Sequence, residues 1–292
     1  YSPCVSHYSD PPAVVAAIEL NYPSELEAAP PSNTKLMPPT YLLERNNLTA
    51  FGARCISARA TGVLLSLLVL VLPAAAQTAY TWNGGSGSSG NWSDNANWTG
   101  PFPSNPQGYL NFDGGTRLTN TNDFSAGSAG FQIYFKSTAG AFNLYGNSIT
   151  FYDYGSVDPN IQNEGTGNAQ TINFPIVNGN NNGANGILNI NLNASPAQGP
   201  LVFNSTITAA DANIATRAIN VSGGSPVTFN GVISDFSPSG KVALTQLGTG
   251  TTTLNGTNTF TGDLTISAGA VVVGGAGQLG GGLYAGAVSD TG

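Results

Sequence analysis

Three observations in the 292-residue sequence predict an all-β solenoid, a parallel β-helix. Side chains alternate with a period of two, short apolar segments recur at a near-constant spacing, and the recurring region carries no helical pattern.

The alternation is clearest at 244–273, LTQLGTGTTTLNGTNTFTGDLTISAGAVVV. From Leu244 to Ile266 the even positions read Leu, Gln, Gly, Gly, Thr, Leu, Gly, Asn, Phe, Gly, Leu and Ile. The odd positions are nearly all Thr, and Leu247 is the only apolar one among them. A strand buried on one face has this period, because successive side chains point to opposite sides. A helix would not tolerate so much Gly and Thr.

The recurrence comes from 110–112 (LNF), 149–151 (ITF), 172–174 (INF), 201–203 (LVF), 227–229 (VTF) and 252–254 (TTL). Their third residues lie 39, 23, 29, 26 and 25 positions apart. Self-similarity on this scale, without helices, marks a solenoid whose unit is strands and turns. Equivalent positions then stack at about 4.8 Å per coil. Phe151, Phe174, Phe203, Phe229 and Leu254 are expected to form one internal stack. Asn204, Asn230 and Asn255 follow directly on three of these and are expected to form a turn ladder, amide to amide. The long first gap implies an extra coil or an insertion within 118–145, with strand candidates at 131–135 and 142–144. Segments 157–167 and 177–186 are too rich in Asn and Gly for the core. Residues 187–192 alternate again.

Composition agrees with a folded chain. Gly numbers 38 and only 8% of residues are charged, yet 40% are apolar and sit in strand-like segments. A formal charge of -7 argues against nucleic acid, which needs clustered Lys and Arg.

The N-terminal part reads differently. Arg54 and Arg59 precede the apolar run 63–72, VLLSLLVLVL, and Pro73 with Ala74, Ala75 and Ala76 follows. A basic flank, a short apolar core and small residues make a secretory signal over 54–76, with cleavage expected after Ala76. The run is too short for a membrane span. Residues 1–53 hold three Pro-Pro pairs and no periodicity. They are either an over-extended reading frame, with translation starting at Met37, or a long leader. Beyond the cut there is no Cys, His or Met, so disulfides, thiolates, zinc–His sites and Ser–His triads are excluded there. The remaining part has four basic and ten acidic residues. No cofactor and no metal is expected.

Trp82, Trp92 and Trp98 cluster at the start of this part, within 77–108. They are read as a cap over the open end of the solenoid, which needs a cover. Their other reading is a platform that stacks on sugar rings. The β-helix coils are expected over 109–292. After Val273 the chain reads GGAGQLGGGLYAGAVSDTG, with neither an evident strand nor a polar cap, so the solenoid is expected to continue further.

Segment 244–273 resembles the autotransporter-associated (passenger-associated) β-strand repeat. That pattern runs roughly L-x-K-x-G-x-G-x-L-x-L-x-G-x-N-x-Y-x-G-x-T-x-I, then G-x-L-x-V. Leu244, Gly248, Gly250, Leu254, Gly256, Asn258, Gly262, Ile266, Gly269 and Val273 match it. Gln246 stands in place of the Lys, Thr252 of a Leu, Phe260 of the Tyr and Leu264 of the Thr. The resemblance implies a right-handed β-helix passenger, exported by a Gram-negative-type bacterium and displayed or released outside. It also implies an outer-membrane translocator or another anchor as partner.

Three functional readings follow, in this order. The first is a non-catalytic structural or adhesive surface module. The second is a polysaccharide-binding module using Trp82, Trp92, Trp98 and tyrosines such as Tyr152 and Tyr154, with cell-surface or extracellular polysaccharide as partner. The third is a polysaccharide lyase or hydrolase, in which Asp153, Asp158 or Glu164 would converge with Lys136 or Arg217. The plain reading of the three acids is solvated loop charge, and that of Arg217 an edge salt bridge. A calcium-binding GGxGxD repeat is not present, since 274–278 reads GGAGQ.

Overall fold

The computed structural model describes residues 78–292 apart from 101–102, 104–107, 154–156, 180–185, 192–197, 212 and 214–215. The expectations for 1–53 and 54–76 lie outside the described residues.

The chain visits three sheets in rotation. From Ile187–Ile190 in the first sheet it passes to Leu201–Phe203 in the second and Ile207–Ala209 in the third. It returns to the first at Thr216–Val221, then to Val227–Phe229, Ile233–Ser234 and Lys241–Gln246. Each circuit lays its strands parallel to those of the circuit before. Among the described residues the sheets hold ten, seven and five strands. The fold is therefore a β-helix-like solenoid. One antiparallel pairing, Ala79–Trp82 with Trp98–Thr99, ends the first sheet. The long gap at 118–145 holds strands of all three sheets, Thr119–Asn122, Ser128–Gly130, Gln132–Phe135 and Asn143–Gly146, and so adds a coil. Val288–Asp290 also pairs, parallel to Leu264–Ile266. The tail after Val273 thus contains a strand that its Gly-rich sequence hides.

The period of two becomes an inside and an outside. In Lys241–Gln246, Val242, Leu244 and Gln246 are buried while Lys241, Ala243 and Thr245 are half-buried. Register then stacks equal positions. Ile172, Phe203, Phe229 and Leu254 form one column, and the Phe203 and Phe229 rings stack at 5.0 Å and 15°.

That column corrects the expected stack at two members. Ile172, not Phe174, pairs with Phe203, although both face inward and are buried. Alternation fixes the face of a strand but not an offset of two residues. Phe151 lies in the third sheet, in register with Gly130 and Asn178. Its segment resembles the others because its first and third residues, Ile149 and Phe151, are buried as theirs are.

On the outside, Asn230 Nδ2 donates to Asn204 Oδ1 at 2.7 Å, and Asn255 Nδ2 to Asn230 Oδ1 at 2.8 Å. Asn204 Nδ2 continues to Asn173 Oδ1 at 2.8 Å. The row therefore has four members.

Phe203→Asp would place an unpaired carboxylate in the column and remove a fully packed ring. A loss of about 3–5 kcal/mol is expected, read as a lower denaturation midpoint. Val202→Thr, on the half-buried outer side of the same strand, should shift it by less than about 1 kcal/mol.

Candidate functional site

The tryptophans occupy the interior of the N-terminal end. Trp82 and Trp92 have no exposed surface and Trp98 retains 5%. Trp82 and Trp98 meet edge to face at 5.2 Å, and Trp92 lies 5.4 Å from Phe112. Their N–H groups are also taken. Trp92 Nε1 donates to Asn120 Oδ1 at 2.7 Å, Trp98 Nε1 to the Trp92 carbonyl at 2.8 Å and Trp82 Nε1 to the Thr116 carbonyl at 3.3 Å. Rings buried in this way cannot stack on a sugar, so the platform reading of Trp82, Trp92 and Trp98 is corrected. The physical reason is that large apolar rings gain most by packing on Phe112 and on one another, while their N–H groups bind backbone and amide oxygens. Tyr152 is half-buried, and Tyr154 lies outside the described residues.

Charged and polar groups gather on the outer side of the first sheet. Lys136 and Glu164 form an ion pair at 2.5 Å. Glu164 Oε1 also accepts from Gln162 Nε2 at 3.4 Å, and Gln162 Oε1 from Asn160 Nδ2 at 3.0 Å. Tyr134 OH donates to Gln132 Oε1, and its ring lies parallel to Tyr109 at 6.0 Å with Lys136 Nζ 5.7 Å from its centroid. Burial raises the Tyr134 phenol above its ordinary range, against the hydrogen bond from Asn160. So Lys136 and Glu164 do converge, but each is the other's partner.

The other charged candidates fall elsewhere. Asp153 is only 3% exposed, and neither carboxylate oxygen has a hydrogen-bond partner. The expectation of a solvated loop charge is therefore corrected for Asp153. Burial, and then the charge of Asp158, raise its pKa. Arg217 is fully buried and binds Asp211 at 2.8 Å, while its Nη1 donates to the Asp211 carbonyl at 2.6 Å. The Nη2 hydrogen bond to Asp211 Oδ1 holds that carboxyl below its usual range. Arg217 ties a corner between the third and first sheets. Among the described residues no group of three or more His, Cys, Asp or Glu could hold a metal ion.

The segment 244–273 builds its turn from inside. Gln246 is 1% exposed and faces inward. Its Nε2 donates to the carbonyls of Gly248 at 2.7 Å and Gly250 at 3.1 Å, and its Oε1 accepts from Thr252 Oγ1 at 2.6 Å. A Lys ammonium could donate to the same carbonyls but would have nothing for Thr252 to bond. Two of the four departures from the repeat pattern, Gln246 and Thr252, are thus a matched pair. Asn258 is also buried. It accepts from Ile233 N at 2.9 Å and donates to the carbonyls of Gly256 at 2.8 Å and Gln278 at 3.2 Å. Its side chain makes the contact at a corner where, among the described residues, this coil has no strand in the third sheet.

Two glycines are needed by close approach. A Cβ at Gly248 would sit 2.0 Å from the Gly223 carbonyl oxygen. Gly269 adopts φ +67°, and its Cβ would meet the Gly250 carbonyl oxygen at 2.2 Å. The expectation that 157–167 and 177–186 stay out of the core is corrected, since Asn160–Asn163 is a buried strand and Asn178 is fully buried at the end of another, their amides facing polar backbone. The available signal was parity, since Gln246 and Asn258 share the even positions with Leu244, Leu254 and Phe260.

Residues 244–273 match the model of the passenger-associated-transport-repeat family. This segment is a repeat of that family. No curated protein and no solved structure gave a significant match to the chain.

Replacing one member of the Gln246–Thr252 pair should cost more than replacing both. Thr252→Leu leaves Gln246 Oε1 buried without a donor and should cost about 1–3 kcal/mol. Gln246→Lys with Thr252→Leu should recover most of it, read as a positive coupling in a denaturation double-mutant cycle. For Asp153 the native state holds its proton more tightly than the unfolded chain, whose Asp titrates near 3.8. Stability should therefore fall as pH rises from that value through the raised pKa. Asp153→Asn should raise the neutral-pH melting temperature and flatten that slope.

Proposed function

We propose that this chain is an exported, non-catalytic β-helical passenger of a Gram-negative-type surface or secreted protein. It acts as a stiff structural or adhesive module. The observation that carries the reading is the unbroken in-register pairing of the first sheet from Ala79 to Asp290, which includes the passenger-associated-transport repeat. Each coil buries apolar surface against the next and takes up its backbone hydrogen bonds. Stiffness then needs no disulfide. The winding is right-handed, the hand that parallel crossover connections take almost always. An outer-membrane translocator or anchor is the partner this role requires.

Catalysis is not part of the reading. Two acid–base pairs come together among the described residues, Lys136 with Glu164 on a half-buried surface and Arg217 with Asp211 at a corner, and each is a closed ion pair. Nor do the tryptophans support sugar binding.

The test is display on cells. The chain, carrying an epitope tag, is expressed ahead of a heterologous outer-membrane barrel translocator in a Gram-negative host. Added protease should remove the tag from intact cells, and the exported chain should resist further digestion. A chain retained inside the cells would overturn the reading. So would reducing ends released from a polysaccharide panel and lost in Lys136→Ala or Glu164→Gln.

A further inference from the structure

We infer that the outer face of the seven-stranded sheet is a binding track for a neutral glycan chain laid along the solenoid axis. The inference does not depend on export.

Two columns of side chains run along this face. Register places Thr171, Val202, Thr228 and Thr253 in one, each on the outward side of its strand. The second is the amide row Asn173, Asn204, Asn230 and Asn255. A primary amide has two N–H donors and an oxygen with two lone pairs. Within the row, Asn204 and Asn230 each spend one N–H and one lone pair on their neighbours. Each keeps one donor and one acceptor, and both side chains are exposed. The row therefore offers one donor and one acceptor per coil, repeating at about 4.8 Å. That repeat is close to the length of one pyranose unit in an extended chain. A donor beside an acceptor is what a pair of neighbouring sugar hydroxyls binds.

An aromatic ring stands in line with the row. Leu144 is in register with Ile172, so Tyr145 stands beside Asn173. Tyr145 is 45% exposed, which puts an accessible aromatic side chain at the end of the amide column. An aromatic face with a polar edge is the surface that the C–H side of a sugar packs on.

Charge decides the class of glycan. None of the seven strands contains a charged residue. An acidic polymer would find no cation here, and a basic one no carboxylate, so the track suits uncharged hexose units. The Lys136–Glu164 pair, by contrast, belongs to strands and corners of the first sheet.

The experiment is affinity electrophoresis of the purified chain in gels cast with hydroxyethyl cellulose, laminarin or polygalacturonate. Retardation is expected in at least one of the two neutral glucans and not in polygalacturonate. Tyr145→Ala should weaken it about tenfold. Thr228→Lys, which raises a long cation across the track, should abolish it. Thr208→Lys, on the outer side of the third sheet, should leave it unchanged. Melting temperatures verify that each variant folds, and Val202→Lys replaces Thr228→Lys if that variant does not. Absence of retardation in both neutral glucans would overturn the proposal. So would retardation in polygalacturonate alone, or retardation indifferent to Tyr145→Ala and to the lysine on the track. Sedimentation equilibrium gives a further outcome. Self-association that Thr228→Lys removes, without glucan retardation, makes the face an interface between copies and also overturns the track.

Discussion

Everything in this solenoid depends on parallel strands pairing in register from one coil to the next. The pairing fixes the distance between coils at the backbone hydrogen-bond spacing, about 4.8 Å, whatever the side chains are. Equal positions must then stack on equal positions. Inside, this produces the Ile172–Phe203–Phe229–Leu254 column. Outside, it produces the row from Asn173 to Asn255. At the corners it brings backbone onto backbone, which is why Gly248 has no room for a Cβ.

The same constraint creates a difficulty at each corner. Where the chain leaves one sheet for the next, carbonyls and amides drop out of the ladder and are cut off from water. Inward amide side chains take them up. Asn163 Nδ2 reaches the Gly199 carbonyl at 2.9 Å, Gln170 Nε2 the Gly140 carbonyl at 2.9 Å, and Asn178 Nδ2 the carbonyls of Gly186 and Ala218 at 3.1 Å each. Gln246 and Asn258 do the same within the family repeat. An Asn or Gln can serve donor and acceptor at once, so one buried side chain satisfies both kinds of backbone group. This also explains how coils of differing sequence share one architecture. The geometry demands parity, small corners and an amide at the turn. It does not demand particular residues elsewhere, so the repeat is recognisable at 244–273 while the sheets run from Ala79 to Asp290.

The N-terminal end and the outer faces divide the remaining roles. At the end of the first sheet, one strand pairs antiparallel and three indoles are buried against the interior. Along the sides, polar and β-branched residues face outward with few charges. Such faces cost the core nothing, because alternation separates what packs from what is presented.

The sequence by itself determined the strand period, the repeat length, the parallel solenoid class and the three-member amide row at Asn204, Asn230 and Asn255. These are local or periodic signals, and a period survives in one dimension. It also made plain that the part after residue 76 lacks Cys and His. Only the tertiary structure decided the offset of Ile172 against Phe174, the third-sheet position of Phe151 and the burial of the tryptophans, Asp153 and Arg217. A shift of two residues keeps every side chain on its face, so no alternation pattern can register it. Burial at a corner or an end depends on which coils lie above and below, and that is fixed by pairing between residues some 20 to 30 positions apart.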